Sequence, residues 1–388
     1  MVKKIFGLIW QYLRRLDKTL LFLTLGVCAY SVTVLYSLVI NSQTQSITNA
    51  SLDYTDYRTQ ALAALLGIFA SLVIAAWDYR KFSKLWFIYF PLMVGLTCLT
   101  FTSLGQAGLE GADDRAWLAI GGFTVQPAEF LKLAFILSFA YHCHKTKDFF
   151  NNPLNVLILC IHGAIPIGLV MLQGDDGTAL VFAAMFVMML FAAGISWKYI
   201  LGAGILSPIA IWFMWSHYLQ PVHKNRILSI INPEKYATAD SLYQTNLAKI
   251  ALGSGQVRGK GLFGGDYSYV PVSHNDFIFS YYGQTLGFIG CLALVILLAV
   301  ICLRILGNSL RAGDALGRII CVGVFAYLFV QSVLNIGMVM GVTPVIGITL
   351  PFASAGGSSM LTSTVAIGLV MSVHFHSAKY DTLFAKKR

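Results

Sequence analysis

Residues 277–300 read FIFSYYGQTLGFIGCLALVILLAV, a long apolar run with few polar interruptions. Because a helix needs about 20 apolar residues to cross the hydrocarbon core of a bilayer, this run predicts a transmembrane helix. Similar runs recur along the 388-residue chain, which is 57% hydrophobic and only 11% charged, with a mean hydropathy of +0.71. Such a composition excludes a soluble globular domain, a disordered chain and a small disulfide-rich secreted scaffold.

The apolar runs predict an all-α polytopic membrane protein with about ten transmembrane helices, forming a single integral membrane domain over residues 1–388. The predicted spans are, in order, Leu20–Ile40, Ala61–Trp77, Leu85–Leu104, Ala128–His142, Val156–Leu172, Thr178–Gly194, Tyr199–Tyr218, Phe277–Leu306, Arg318–Val342 and Ser359–His376.

The basic residues indicate how the protein is oriented in the membrane. The formal net charge is +10, and most of the 27 Lys and Arg residues fall at the two termini and on one set of loops. Because cytoplasmic loops are enriched in Lys and Arg, we predict cytoplasmic termini and a large extracytoplasmic loop over residues 220–275. Residues 1–19 predict a cytoplasmic amphipathic segment that is not a cleaved signal. This distribution explains the positive charge without a nucleic-acid partner.

The loop of residues 220–275 is too long to be a simple connector. Apolar residues recur at helical spacing over 243–251, which predicts a short helix along the membrane surface. The glycine-rich residues 253–265 follow it and include Arg258 and Lys260. We expect this stretch to be flexible and able to wrap a phosphorylated group.

Ionisable residues at membrane depth are costly, which makes them functional candidates. Glu129 and Lys132 are separated by one helical turn at the start of the fourth predicted span. They either take part in a site or only neutralise each other. Asp175 and Asp176 lie in a loop so short that it must run close to the bilayer, where they either join the site or cap the sixth span.

Asp276 directly precedes the apolar run of the eighth predicted span, at its outer boundary. A half-desolvated carboxylate at this position suits a general base. The alternative is that Asp276 caps the N-terminus of the eighth helix and interacts with its dipole. Position alone leaves both roles open.

Residues 341–359 read GVTPVIGITLPFASAGGSS, which is apolar but broken by proline and glycine. Irregular backbone at membrane depth is tolerated only where it is buried in protein or lines a cavity. The sequence therefore predicts a re-entrant loop beside a polar cavity, on the same side of the membrane as Asp276.

Six stretches lie in order along nearly the whole chain: RAWLAIGGFTVQPAEFLKLA (115–134), QGDDGTALV (173–181), HKNRILSIINPEKY (223–236), GSGQVRGKGLFGG (253–265), SHNDFIFSYYGQTLGFIG (273–290) and NIGMVMGVTPVIGITLPFASAGGSSMLT (335–362). Together they resemble the SEDS family (shape, elongation, division and sporulation), which contains the bacterial RodA and FtsW proteins. The start LDKTLLFL (16–23) and the short tails favour the RodA-like, or elongation, branch.

The resemblance implies a peptidoglycan glycosyltransferase of the bacterial cytoplasmic membrane that polymerises lipid II at the outer face. It also implies a class B penicillin-binding protein as the partner that cross-links the glycan. Asp276 matches the family's catalytic aspartate. The residues expected to bind the lipid-linked substrate are Glu129, Lys132, Asp175, Arg226, Arg258, Lys260, Ser358 and Ser359.

The chain departs from the family pattern at Val272 and Gln284, where the family usually has Glu, and at Ala355, where it has Tyr. These departures change part of the polar surroundings expected around Asp276. They are compatible with a divergent or specialised member of the family.

The expected reaction joins a sugar hydroxyl of one lipid-linked disaccharide to the anomeric carbon of a growing chain. Asp276 would accept the hydroxyl proton, and Arg226, Arg258, Lys260 or a divalent cation (Mg²⁺ or Mn²⁺) would stabilise the leaving pyrophosphate. Attack opposite the leaving group predicts inversion. No organic cofactor is expected.

Two other functions remain open from the sequence. A lipid II flippase also needs a polar cavity within the membrane, which Glu129, Lys132 and Asp175 could line. A non-catalytic scaffold that only positions its penicillin-binding partner would tolerate the departures from the family pattern.

Overall fold

The computed structural model describes residues 11–48, 52–106, 115–120, 123–232, 235–236 and 240–385. Its helices are α1 Lys18–Thr44, α2 Tyr54–Ala76, α3 Tyr79–Lys84, α4 Trp86–Cys98, α5 Pro127–Lys145, α6 Pro153–Leu172, α7 Asp176–Ala193, α8 Trp197–Phe213, α9 Pro221–Ile231, α10 Asp240–Ser254, α11 Ile278–Leu310, α12 Ala315–Met340 and α13 Gly357–Ala385. Most of the predicted N-terminal amphipathic segment lies outside the described residues, and residues 11–15 are helical.

Within the described ranges, eight helices are long and apolar enough to cross a membrane: α1, α2, α6, α7, α8 with its π-helical extension Met214–Tyr218, α11, α12 and the Gly357–Ser377 part of α13. Each coincides with a predicted span. The third and fourth predicted spans are also helical. The third is α4 with the 3₁₀ turn Leu99–Phe101, which is shorter, and the fourth is α5, which carries the buried charges. The all-α polytopic prediction is confirmed, whereas the exact number of spans remains a prediction.

The helix ends follow from local chemistry. Asp17 begins α1 by accepting a hydrogen bond from the Leu20 amide at 3.1 Å, which satisfies one of the free donors of the first turn. Gly194 and Gly341 end α7 and α12 in the left-handed conformation that glycine adopts without steric cost. These signals place the starts and ends of the spans close to where the apolar runs begin and stop.

A small antiparallel sheet precedes α5 and was not predicted from the sequence. Its strands β1 Gly105–Gln106, β2 Trp117–Ile120 and β3 Phe123–Val125 pair in the order β1-β2-β3, with Leu118 opposite both Gly105 and Val125. The strands are too short to give an alternating pattern. The only available signal was the pair Gly121-Gly122 between two apolar segments, which favours a two-residue hairpin turn.

The centre of the bundle is formed by α12 and α13. In α13, 78% of the apolar window is buried, compared with 0% in α8, so α13 is a core helix and α8 lies at the periphery. Helix α13 packs most extensively on α2, and α12 packs on α7 and α11. This arrangement positions the starts of α5, α7, α11 and α13 around one end of α12.

The long loop contains two helices instead of one. The predicted surface helix is α10, and α9 precedes it. The glycine-rich residues after α10 are not the free stretch that the sequence predicted, because their backbone pairs with α11. Helix α11 is interrupted at Gly287 (φ 66°, ψ −163°), and residues 256–261 form four backbone hydrogen bonds with residues 284–289 on either side of the interruption.

Candidate active site

The predicted charged pair is fully inside the protein. Lys132 Nζ lies 2.7 Å from Glu129 Oε1, and the two residues are only 1% and 2% exposed. Both belong to α5, where residues one turn apart share a face. The pair therefore exists as predicted. Its surroundings show whether the two charges only neutralise each other or also take part in a larger polar network.

Further polar groups complete the coordination of both charges. Lys132 also donates to Gln331 Oε1 at 2.8 Å and lies 4.2 Å from the centre of the Tyr327 ring. Glu129 Oε2 accepts hydrogen bonds from Thr362 at 2.9 Å and from the Tyr327 hydroxyl at 3.5 Å. A buried ion pair is stable only when such additional hydrogen bonds satisfy it. The pair therefore joins α5, α12 and α13.

The network extends from Lys132 into the irregular segment after α12. The Gln331 amide donates to the carbonyl oxygen of Thr349 at 2.9 Å and to its hydroxyl at 3.0 Å. The Thr349 hydroxyl in turn lies 3.2 Å from that of Ser359, at the start of α13. As predicted, this segment is irregular and buried: Ile348, Leu350 and Phe352 are at most 2% exposed.

Asp175 combines the two roles that the sequence left open. Its Oδ1 caps α7 by accepting from the Thr178 amide at 2.9 Å, and its Oδ2 accepts from the Gln126 side chain at 2.9 Å. The backbone nitrogen of Gln126 donates to Ser358 Oγ at 3.4 Å. Asp175 is buried, so it does not simply face water, and it links the starts of α5, α7 and α13.

Asp276 lies half-buried at the same end of the bundle, in the turn before α11. Its Oδ2 would be 3.7 Å from a Cβ placed on Gly347, which has a φ of 65°, so the carboxylate faces the backbone of the irregular segment. Asn335 of α12 donates to the carbonyl oxygens of Asp276 at 2.8 Å and of Ile348 at 2.6 Å. The N-cap position of α11 is Phe277, so Asp276 is not the N-cap residue.

The turn that carries Asp276 is fixed to the irregular segment by backbone contacts. The Ser354 hydroxyl donates to the Asn275 carbonyl at 2.7 Å, and the Ala355 amide donates to the His274 carbonyl at 2.8 Å. Burial lowers the pKa of His274 to about 4, so its imidazole is neutral at pH 7. Its Nδ1 has no hydrogen-bond partner among the described residues.

The departures from the family pattern have different structural consequences. At Ala355 the contact uses the main chain, which does not require the tyrosine side chain. Gln284 accepts from the Ser268 amide at 2.7 Å and donates to the Ser268 carbonyl at 3.2 Å, a pair of bonds that needs an amide. Val272 has a φ of 52°, an uncommon and strained conformation for a β-branched residue.

Arg226 is brought together with a cation that the sequence analysis did not select. A cleft of about 200 Å³ lies between α9, α10 and the segment after α12. Arg226 and Lys249 both line this cleft. The Lys249 ammonium lies so close to Gly341 that a Cβ there would overlap it. Both basic residues thus border the segment that also contains Gly347, which faces Asp276.

Arg258 and Lys260 lie elsewhere and do not line this cleft. Arg258 is exposed, and the Lys260 ammonium donates to the Asp266 carbonyl at 2.5 Å. Their backbone belongs to the segment paired with α11, where Lys260 N donates to the Gln284 carbonyl at 2.8 Å. The predicted wrapping of a phosphorylated group by this stretch therefore stays a prediction, made from a backbone that is paired and not free.

The possible metal ligands can be compared with the sequence-based expectation of a divalent cation. Within the described ranges, no three His, Cys, Asp or Glu side chains are close enough together to hold a metal ion. The expected divalent cation therefore stays a prediction.

Sequence reasoning missed Gln331, Asn335, Thr349 and Lys249. Gln331 and Asn335 are polar residues one turn apart within the ninth predicted span, and this was an available signal, because polar side chains in a span usually face the bundle interior. Nothing in the sequence distinguished Lys249 from the other basic residues of its loop.

The fold and the site together define a polytopic membrane protein whose helix bundle encloses a buried ion pair and holds a carboxylate and a basic cleft at one end. The chain belongs to the FtsW/RodA/SpoVE family of cell cycle proteins, whose family model matches residues 18–379. This confirms the resemblance to the SEDS family.

Two curated relatives with different names each match most of the chain. The probable peptidoglycan glycosyltransferase FtsW of Trichlorobacter lovleyi is 30% identical over 370 residues, 92% of this chain and 92% of its own length. The peptidoglycan glycosyltransferase MrdB of Escherichia coli K12 is 30% identical over 366 residues, 93% of this chain and 94% of its own length. The equal identities do not favour either branch of the family.

Solved structures share the fold. A chain from a peptidoglycan synthase complex, described as coordinating polymerization and crosslinking, matches with a TM-score of 0.76 at 24% identity and covers 93% of this chain and 98% of that chain. The crystal structure of the rod shape determining protein RodA from Thermus thermophilus matches with a TM-score of 0.65 at 24% identity, covering 92% of this chain and 96% of that chain.

Proposed function

We propose that this protein is a peptidoglycan glycosyltransferase that polymerises lipid II into glycan strands at the outer face of the bacterial cytoplasmic membrane. The names of the FtsW and MrdB relatives support the activity. The observation that carries the proposal is the position of Asp276, which is half-buried and faces the backbone of a buried irregular segment. The same segment lines a cleft to which Arg226 and Lys249 contribute their basic side chains.

The reaction requires a base on one side of the anomeric carbon and cations on the other. The Asp276 carboxylate takes the proton of the acceptor sugar hydroxyl as its oxygen bonds to the anomeric carbon of the donor. The bond from that carbon to the diphosphate breaks, and its electron pair leaves with the diphosphate, whose charge Arg226 stabilises. The product has the inverted configuration, and Asp276 afterwards releases its proton to water.

The buried network has a supporting role in this proposal. Glu129, Lys132 and Gln331 hold Thr349, which lies in the same irregular segment as Gly347. The ion pair thereby fixes the backbone that Asp276 faces. Asp175, Ser358 and Ser359 hold the starts of the neighbouring helices, so we assign them to positioning the substrate site.

The partner and the orientation follow from the same proposal. A class B penicillin-binding protein would cross-link the glycan that this chain makes, and both act on the outer side of the membrane. If Mg²⁺ or Mn²⁺ takes part, it would bind with the diphosphate of the substrate, and no step above depends on it.

The contacts weigh against the two alternatives. For a flippase, the head group would have to pass the Glu129–Lys132 pair, which is buried and occupied by hydrogen bonds from α12 and α13. A non-catalytic scaffold would not require the Asp276 carboxylate or the cleft lined by Arg226 and Lys249.

The test is polymerisation of lipid II in detergent by the purified chain, with and without its penicillin-binding partner. Detergent micelles have no two leaflets between which a lipid could be transported. Polymer formation in detergent therefore requires an enzyme, and neither a flippase nor a scaffold would produce it. We expect Asp276→Asn to lower the rate by about 100-fold or more, because the amide keeps the shape but cannot accept the proton.

The matched control is Asp266→Asn, an exposed aspartate ten positions earlier whose side chain lies outside the site, and it should retain the wild-type rate. An Asp276→Asn variant with nearly wild-type activity would contradict the general-base role. A wild-type chain that makes no polymer with its partner present would contradict the enzymatic function.

A further inference from the structure

The cleft between α9, α10 and the end of α12 has the composition of an anion site. Arg226 and Lys249 reach it from different helices, and Ser229, Thr245 and Asn246 add hydroxyl and amide groups to its walls. None of its described lining residues is acidic. Hydroxyl and amide donors beside two cations are the groups that bind phosphate oxygens.

In the described part of the chain, the two basic side chains of the cleft have no acidic partner. Among the described residues, neither Arg226 nor Lys249 forms an ion pair or a side-chain hydrogen bond. Two like charges that line one small cleft repel each other unless an anion binds between them. An anionic ligand would remove this repulsion.

We infer that this cleft binds the diphosphate of a polyprenyl-linked substrate, with Lys249 as the second cation beside Arg226. The inference rests on the proposed function and deepens it. A volume of about 200 Å³ suits a diphosphate head group with a few waters, since each water occupies about 30 Å³. It is smaller than the roughly 300–1,000 Å³ of pockets that enclose drug-sized ligands, so sugars and lipid tail must lie outside it.

The cleft and the candidate base border the same short segment. Gly341, Thr343 and Pro344 of the segment after α12 line the cleft, and Gly347 of the same segment faces Asp276. Base and leaving group must act on one bound substrate, and two groups that border one short segment fit this requirement.

Lys249 also has a possible structural role, which the experiment must separate from ligand binding. Its ammonium lies beside Gly341, the C-terminal cap of α12, where a cation interacts favourably with the helix dipole. Loss of this contact alone would lower stability without a specific effect on diphosphate affinity.

The test measures binding to the full-length chain in nanodiscs of uncharged phosphatidylcholine. The probes are farnesyl diphosphate, farnesyl monophosphate and, as the phospholipid alternative, short-chain phosphatidylglycerol. The variants are Lys249→Gln, Lys249→Arg and Arg226→Gln. Lys224→Gln is the matched control, since Lys224 lies on the same helix as Arg226 and does not line the cleft.

We expect Lys249→Gln and Arg226→Gln each to weaken farnesyl diphosphate binding by about tenfold or more, the usual effect of losing a charge-assisted hydrogen bond. Lys249→Arg should restore most of the affinity, and Lys224→Gln should leave it unchanged. Farnesyl monophosphate should bind more weakly, and phosphatidylglycerol should not compete.

Equal binding by wild type and Lys249→Gln, an equal loss in Lys224→Gln, or competition by phosphatidylglycerol would overturn the diphosphate site. A melting temperature lowered by Lys249→Gln with unchanged affinity would assign Lys249 to capping α12, and would also overturn it. These outcomes are independent of polymer formation, which tests the proposed function separately.

Discussion

At the scale of single residues, the Glu129–Lys132 pair shows how a costly feature is made stable. Each charge has a partner at 2.7 Å, and each has further hydrogen bonds from α12 or α13. Removing one partner leaves the other charge buried and uncompensated, which is worse than removing both. The pair therefore acts as a unit that ties α5 to the centre of the bundle.

We predict that Glu129→Gln and Lys132→Met each lower the free energy of unfolding by about 3–5 kcal/mol, and that the double variant loses less than the sum. Denaturation in mixed micelles measures stability, and lipid II polymerisation measures activity. If the two losses add to within about 0.5 kcal/mol, the residues are not coupled and the pair has another use.

At the scale of elements, the break in α11 determines where the loop lies. Gly287 has backbone angles that are accessible almost only to glycine, and this frees carbonyl and amide groups on both sides of the break. The backbone of residues 256–261 satisfies those groups. A Cβ on Gly287 would overlap the Gly259 nitrogen, so the two segments can approach only because both positions are glycine.

We expect Gly287→Ala to destabilise the protein by about 1–3 kcal/mol or more, because the alanine is strained at this φ and displaces residues 256–261. Gly307→Ala is the matched control in the same helix, since its Cβ would meet no heavy atom within 4 Å. That variant should be neutral or more stable by up to about 1 kcal/mol.

Mixed-micelle denaturation checks both variants, and hydrogen exchange of the amides of residues 256–261 reports the pairing. Unchanged exchange in Gly287→Ala would show that the pairing does not depend on the glycine.

At the scale of the whole molecule, the starts or ends of α5, α7, α11, α12 and α13 meet at one end of the bundle. Asp175, Asp276 and the Arg226–Lys249 cleft lie at that end, and the ion pair Arg304–Asp17 (2.8 Å) lies near the C-terminal end of α11, far along the helix from Asp276. The proposed reaction uses this arrangement only if the Asp276 end faces outward. The orientation is therefore the most consequential prediction from the basic residues.

Single cysteines test the orientation in a background that lacks the seven native cysteines. Cysteines at Asn232 and Lys235, which are both exposed, should react with a membrane-impermeant maleimide in whole cells. At Asp148 and Leu310, also exposed, they should react only after permeabilisation. The reverse pattern would place Asp276 on the cytoplasmic side, where a polymerase of extracellular glycan has no acceptor.

The sequence alone determined the membrane class, the helices of the spans and the Glu129–Lys132 pair, whereas the choice of Asp276 as the base rested on the family resemblance. The first three depend on local chemistry: apolar length, the spacing of one helical turn, or the cost of a charge near the bilayer. The broken segment 341–359 was also evident, because proline and glycine interrupt its apolar run.

Only the tertiary structure decided which polar groups meet. Lys132 and Gln331 are 199 positions apart, and their contact exists because α5 packs on α12. Likewise Lys249 joins Arg226 because α9 and α10 fold against the end of α12, whereas the backbone pairing with α11 keeps Arg258 away from that cleft. Neither outcome follows from composition or periodicity, because both depend on helix packing between distant parts of the chain.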